Sequence, residues 1–156
     1  MSTRSSIILK LREEDKGRTL KIEKTKAPYF GASDDVLNSF HDVEISRDTK
    51  YIGAYCHFDG YPSGVGAKLK NYFDTYERAL NLILGGDMSS MPMSGLSYYV
   101  LRDDDQIVHQ ISEPCSVFDS CDYLYVFEEG RWIYYERKYD KEKNLFYYDF
   151  NSPVEL

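Results

Sequence analysis

The sequence predicts an α+β fold: a mainly antiparallel sheet with two consecutive helices packed on one face. Strand-like alternation appears in Ser5–Leu11 and Tyr51–Cys56, and two adjacent stretches between residues 63 and 84 carry helical apolar spacing. The second half of the chain then reads as aromatic-rich strands joined by short polar turns. At 156 residues the chain is read as a single domain, 1–156, long enough to bury a real core.

Ser5–Leu11 places Ile7, Leu9 and Leu11 on one face, with Ile8 and Lys10 opposite. Arg18–Lys24 sets Leu20 and Ile22 against Lys21 and Glu23. The charged turn Glu13-Glu14-Asp15-Lys16-Gly17 between the two predicts an antiparallel hairpin. Residues 25–50 read as a helical or looped insert, with a helix start at Ser33-Asp34-Asp35 and an apolar stripe of Val36, Leu37 and Phe40. His41 stands beside Asp42 and Glu44, which is too few converging ligands for a metal centre, so it reads as a surface histidine.

In Tyr51–Cys56, Ile52, Ala54 and Cys56 alternate with Tyr51, Gly53 and Tyr55, a pattern that suits a strand packed on both faces. Asp59-Gly60 and Tyr61-Pro62-Ser63-Gly64 are turn chemistry and end the strand by Phe58. Ser63 is a candidate N-cap for a helix whose stripe is Val65, Leu69, Tyr72 and Phe73. Asp74-Thr75-Tyr76-Glu77 resembles a capping box, with Asp74 as cap, and opens a second helix. Its face is Tyr76, Ala79, Leu80, Ile83 and Leu84, and Gly85 is its C-cap. The loop 86–95 holds Met88, Met91 and Met93, which either form an adaptable contact surface or fill space beneath the loop.

Beyond it, Leu96–Leu101 and Gln106–Ile111 read as strands about the turn Asp103-Asp104-Asp105, whose aspartates lack EF-hand spacing. Tyr123–Phe127 and Arg131–Tyr135 form a hairpin about Glu128-Glu129-Gly130, and Leu145–Phe150 is a further strand. Tyr123, Tyr125, Tyr134 and Tyr148 are expected on an exposed face.

Composition limits the partners. The chain carries a net charge of −7, which disfavours nucleic acid backbones and anionic membrane surfaces and leaves a basic protein as a fitting partner. No stretch approaches the roughly twenty apolar residues that a membrane-spanning helix needs, so no membrane partner and a cytoplasmic location in the host cell are expected. Cys56, Cys115 and Cys121 lack the pairing and spacing of a disulfide framework or zinc ribbon, and no cofactor is expected. Fifteen tyrosines and eight phenylalanines against one tryptophan give the chain an unusual store of contact-forming rings.

The one stretch where chemistry concentrates is the strand, glycine loop and helix start of 51–73. The first turn of a helix presents unpaired N–H groups that favour an anion, and Lys68 would add charge. The candidate ligand-binding set in this stretch is therefore His57, Asp59, Tyr61, Ser63, Gly64, Gly66 and Lys68, with a small anionic ligand. Neither a Walker loop nor Gly-x-Gly-x-x-Gly is complete, since Ala67 separates Gly66 from Lys68 and Leu69 stands at the hydroxyl position.

Met1-Ser2-Thr3-Arg4-Ser5, the core His57-Phe58-Asp59-Gly60-Tyr61-Pro62-Ser63-Gly64-Val65-Gly66 and the segment Leu84-Gly85-Gly86-Asp87-Met88-Ser89-Ser90 bring a resemblance with them. The chain resembles a group of small phage and prophage-type hypothetical proteins with an MSTR start, an H-x-D-G-Y-P-x-G-x-G core and a later L-G-D-x-S-S segment. The likeness covers the amino terminus and residues 51–90. Phe58 stands where that group has tryptophan, and the insert before Tyr51 is longer. No activity comes with the resemblance; it implies a mobile-element origin, draws attention to Arg4, His57 and Asp59, and adds Arg4 to the candidate ligand-binding set as an anion contact beside the His57 loop, where it otherwise reads as a solvated end residue.

Three readings of function follow. The first is a phage-type accessory protein that binds a host protein through its tyrosine-rich face and inhibits or redirects it. The second is a nucleotide- or phosphate-metabolite-binding protein, or an enzyme, in which His57 moves a proton, Asp59 orients it and the helix start seats the anion. Cys56 points to the other strand face and no nucleophile elbow is present. In the third, His57 and Asp59 hydrogen-bond to backbone groups and serve folding alone.

Overall fold

The computed structural model describes residues 3–23, 40–91 and 106–156. Ser5–Lys10 (β1) lies inside a six-stranded sheet, antiparallel to Tyr51–Cys56 (β4) on one side and parallel to Tyr123–Glu128 (β6) on the other. Its Ile-Ile-Leu run is apolar on both faces because both faces are covered, and Ile7, Ile8 and Leu9 are fully buried. This placement overturns the expected hairpin of Ser5–Leu11 with Arg18–Lys24. Only Thr19–Leu20 (β2) is extended in the second segment, and it pairs with Val43–Glu44 (β3) outside the main sheet. Alternation fixes which face a side chain takes but leaves the neighbouring strand unspecified.

Arg131–Glu136 (β7) joins β6 through Glu129 and Gly130, with φ of 53° and 76°. Two left-handed residues give the type I′ geometry that matches strand twist, as the hairpin signal predicts. His109–Ile111 (β5) closes one edge beside β4 and is shorter than the expected Gln106–Ile111. Val154–Glu155 (β10), which the sequence did not announce, closes the other edge against β7. Lys138–Asp140 (β8) and Leu145–Tyr147 (β9) form a separate two-stranded hairpin, so the expected strand Leu145–Phe150 ends three residues early. The architecture is α+β, sheet-dominated and mainly antiparallel, with β1 and β6 as the parallel pair.

Ala67–Tyr72 (α1) and Tyr76–Leu84 (α2) cover one face of the sheet, as expected. Val65, Leu69, Phe73, Ala79, Leu82 and Ile83 join Ile7, Leu9, Ile52 and Phe127 in one core. The helix starts differ from expectation. Pro62–Gly66 is a π-helical turn, and Ser63 lies inside it as an exposed residue rather than capping α1. At α2 the cap is Thr75, whose side chain accepts a hydrogen bond from Arg78 N–H at 3.2 Å, while Asp74 pairs with the Arg78 guanidinium at 3.4 Å. Past the C-cap Gly85, the left-handed residue is Gly86, at φ 85°.

The opposite face carries a smaller cluster, Ile8, Tyr51, Leu124, Val126, Ile133 and Tyr135, with Val117 and Tyr148 packed against it. The tyrosines expected to be exposed are therefore not the exposed ones. Tyr125 is fully buried, Tyr123 and Tyr134 pack on the main core, and half-buried Tyr148 donates to the Cys121 carbonyl at 2.5 Å. Alternation could not show this, because both faces of β6 and β7 are covered. Met88 and Met91 are buried and fill space beneath their loop. Cys56 and Cys121 are buried free thiols and Cys115 an exposed one. The helix start at Ser33-Asp34-Asp35, the strand Leu96–Leu101, the aspartates 103–105 and Met93 lie outside the described residues.

Thr75→Ala should destabilise the protein by about 0.5–2 kcal/mol, and Ser63→Ala by no more than about 0.5 kcal/mol, in urea unfolding. The reverse order would place the helix start at Ser63. Burial pushes the Tyr148 phenol from its ordinary 10.0 up to about 12 and raises Tyr76 and Tyr125 as well. A phenol whose pKa is raised by folding contributes stability that is intact below the unfolded value and lost as pH rises through the folded one. The urea midpoint should therefore fall between pH 10 and 12, and Tyr148→Phe should flatten that fall.

Candidate functional site

Beyond β4 the chain is held by the segment that follows α2. His57 N–H donates to the Met88 carbonyl at 3.1 Å and Phe58 N–H to Ser89 at 2.9 Å. Asp59, at φ 58°, turns the chain, and Gly60 then meets the residues before β1: its N–H donates to the Thr3 carbonyl at 2.9 Å. A Cβ on Gly60 would sit 2.8 Å from that same oxygen. The Gly60 carbonyl accepts the buried Tyr125 hydroxyl at 2.7 Å. A Cβ on Gly64 would collide with the Asp59 carbonyl oxygen. Close backbone approach thus accounts for glycine at these two positions of the H-x-D-G-Y-P-x-G-x-G core.

The loop consumes the N–H groups that an anion at the helix start would need. Gly64 N–H donates to Tyr61 at 2.9 Å, Val65 to Asp59 at 2.8 Å and Gly66 to Tyr61 at 3.5 Å, and Ala67 N–H donates to Gly64. Lys68 donates through Nζ to the Met91 carbonyl at 3.0 Å. Asp59 is exposed and accepts the Tyr61 hydroxyl at 3.1 Å. The expected anion seat on the helix start is corrected accordingly: its backbone donors are spent on the loop itself, and its lysine is drawn to the Met91 carbonyl.

His57 turns to the outer face of the sheet, away from the helices. Its Nδ1 lies 2.8 Å from the Tyr55 hydroxyl. Continuing the antiparallel register that pairs Ser5 with Cys56 sets Arg4 opposite His57, and the Arg4 charge opposes the upward push of burial on the Tyr55 phenol. Of the predicted set, then, Arg4 and His57 come together through Tyr55, whereas Asp59, Tyr61, Ser63, Gly64, Gly66 and Lys68 serve the loop or the solvent.

Other members of the cluster escaped the sequence reading. Asp87, only 3% exposed, accepts Tyr55 N–H at 2.9 Å, and its two oxygens lie 3.0 and 3.1 Å from His109 Nε2. Phe118 sets its ring against both Tyr55 and His109, at centroid distances of 5.1 and 5.2 Å. Phe58 packs on His57 at 4.6 Å. Asp87 stands in a Gly-Gly-Asp sequence that reads as a turn, and His109 reaches it only through the register that pairs Gly53 with His109. A carboxylate placed directly after a helix C-terminus was the available signal, since a buried acid there requires donors.

A second surface lies at β8 and β9. Tyr139, Leu145, Phe146, Tyr147 and Phe150 are all exposed, Phe146 at 59%. The Tyr139 and Phe146 rings meet at 5.0 Å, and the Arg137 guanidinium covers Phe146 at 4.2 Å. A groove of about 450 Å³ runs beside them, lined by Cys115, Asp119, Arg137, Phe146, Tyr147 and Phe150.

Compared with protein-family models, curated proteins and solved structures, the chain matches none of them. Gly64→Ala should lower stability by about 1–3 kcal/mol, because the Asp59 carbonyl has to move to admit a methyl group. A stability in water, extrapolated from urea unfolding, that stays within about 10–15% of the parent protein's would show that this contact does not shape the loop.

Proposed function

We propose that this chain is a small acidic accessory protein, of the mobile-element kind its resemblance implies, that docks on a host protein through its C-terminal half. The observation that carries this reading is a group of exposed rings on a chain of net charge −7. Tyr139, Leu145, Phe146, Tyr147 and Phe150 are exposed together, and although Arg137, Lys138, Lys141 and Lys143 lie among them, residues 106–156 as a whole hold ten Asp and Glu against five Lys and Arg. Exposed aromatic side chains grouped on one surface favour a protein contact, since each brings a large area at small entropic cost. The surplus of acid selects a basic partner and speeds its approach. The occupant that fits is an apolar segment flanked by Lys or Arg, seated in the groove beside Phe146 and Phe150. A host protein so covered is inhibited by obstruction.

A photo-crosslinking residue placed at Phe146, with the exposed Asn71 of α1 as the control position, tests this in host cells. One discrete basic protein is expected from position 146 and none from 71. That protein, purified, should lose about tenfold or more in affinity when Phe146 and Phe150 are both changed to Ser, and binding should weaken with added salt. Equal labelling from both positions, or cross-links only to a second copy of this chain, would refute the proposal.

A further inference from the structure

We propose that the outer face of the sheet binds a small organic oxyanion, a carboxylate or a phosphate ester, held by Arg4 together with the Tyr55–His57 pair. The site is independent of the aromatic hairpin, so either proposal stands or falls without the other.

Arg4 is fixed by its backbone. Its N–H donates to Asp122 Oδ2 at 3.0 Å, and its carbonyl accepts from Asp122 N–H at 2.8 Å and Tyr123 N–H at 3.3 Å. The side chain is not served in the same way: Nε is buried and has no hydrogen-bond partner. The two carboxylates of this cluster are committed elsewhere. Asp122 is shared between Arg4 N–H and Arg137, at 3.4 Å from the latter, and Asp87 is taken by Tyr55 N–H and His109. A guanidinium partly withdrawn from water, with its donor fork unmatched, is a poor element of structure and a good receptor for a carboxylate or phosphate.

Counting donors supplies the second contact. If the Tyr55 hydroxyl donates to His57 Nδ1, the neutral imidazole carries its proton on Nε2, which remains available to a ligand. If instead Nδ1–H donates to the phenol oxygen, the Tyr55 O–H is left to donate. Either tautomer leaves one donor unspent at this 2.8 Å pair, which the β1–β4 register sets opposite Arg4. His109 does not compete for the ligand, because its Nε2 faces both Asp87 oxygens. The exposed rings of Phe58 and Phe118 flank the pair, one on His57 and one on Tyr55, and offer apolar walls to the body that bears the anion.

The test uses the full chain with three probes: inorganic phosphate, benzoate and adenosine monophosphate. Nitrogen-15 NMR follows the Arg4 Nε–H and His57 side-chain signals during each titration. Saturable shifts at both residues with at least one probe are expected. Binding should fall about tenfold or more with Arg4→Gln, and Arg4→Lys should recover only part of it because the fork is lost. Lys68→Gln should leave the affinity unchanged. Equal affinity for phosphate and adenosine monophosphate would assign the site to the bare anion; tighter binding of benzoate or the nucleotide, reduced by Phe118→Ala, would assign it to an anion on a planar body. Absence of saturable shifts at Arg4 and His57 with all three probes overturns the proposal, as does binding that survives Arg4→Gln.

Discussion

Two backbone hydrogen bonds at the start of β1 set the geometry of this molecule's outer face: Gly60 N–H to the Thr3 carbonyl at 2.9 Å, and Asp122 N–H to the Arg4 carbonyl at 2.8 Å. Leaving such a pair unmade in a part-buried position costs about 1–3 kcal/mol, more than the same bond gains when formed. The loop after β4 and the turn into β6 are therefore drawn to one point on opposite sides of the same strand. Segments far apart in sequence meet there: the amino terminus, residues 57–60, the Asp87 segment and the Phe118 loop. Arg4 is placed by its main-chain hydrogen bonds, and its buried Nε has no hydrogen-bond partner among the described residues.

The two faces of the sheet divide the work. On the helix side, large apolar side chains from β1, β4, β6 and both helices close one core; the indole and phenol that reach it are matched, whereas the buried Ser5 hydroxyl has no partner among the described residues. Trp132 donates to the Phe73 carbonyl at 2.8 Å, and Tyr125 to Gly60. The outer side has only a small apolar cluster, covered by loops rather than helices. A thin layer of this kind can accommodate Asp87, His109, Tyr55 and His57 because each polar group finds a partner at the sheet's edge. The deep core supplies stability, and the thin face leaves room for recognition.

What could be read from the sequence was what neighbouring residues decide among themselves. The stripe Val65, Leu69, Phe73, the strand Tyr51–Cys56 and the Glu129-Gly130 turn each follow from local spacing or local dihedral preference. The neighbours of β1 did not follow, because alternation is silent on pairing. Nor did the meeting of Asp87 with His109, which depends on the register of β5 against β4. Glycines in the 57–66 loop were visible as a pattern that fitted either an anion seat or a structural turn. They admit the Thr3 and Asp59 carbonyls, which is the structural role. Arg4 and His57 were found, although the lysine and helix start that seemed to complete their site face the loop.

The π-helical turn at Pro62–Gly66 has a bearing on how this chain tolerates changes in length. Such a turn holds one residue more than an α-helical turn, so it absorbs an insertion without rotating the helix that follows. Removing one residue between Tyr61 and Ala67 would let α1 begin as an ordinary helix with Leu69 and Phe73 still facing the core. It would also unseat Gly66 from the Tyr125 ring and the Leu156 side chain against which it lies. Single-residue gaps in kindred sequences are therefore expected at this bend, accompanied by a smaller partner in the place of Tyr125 or a different residue in the place of Leu156.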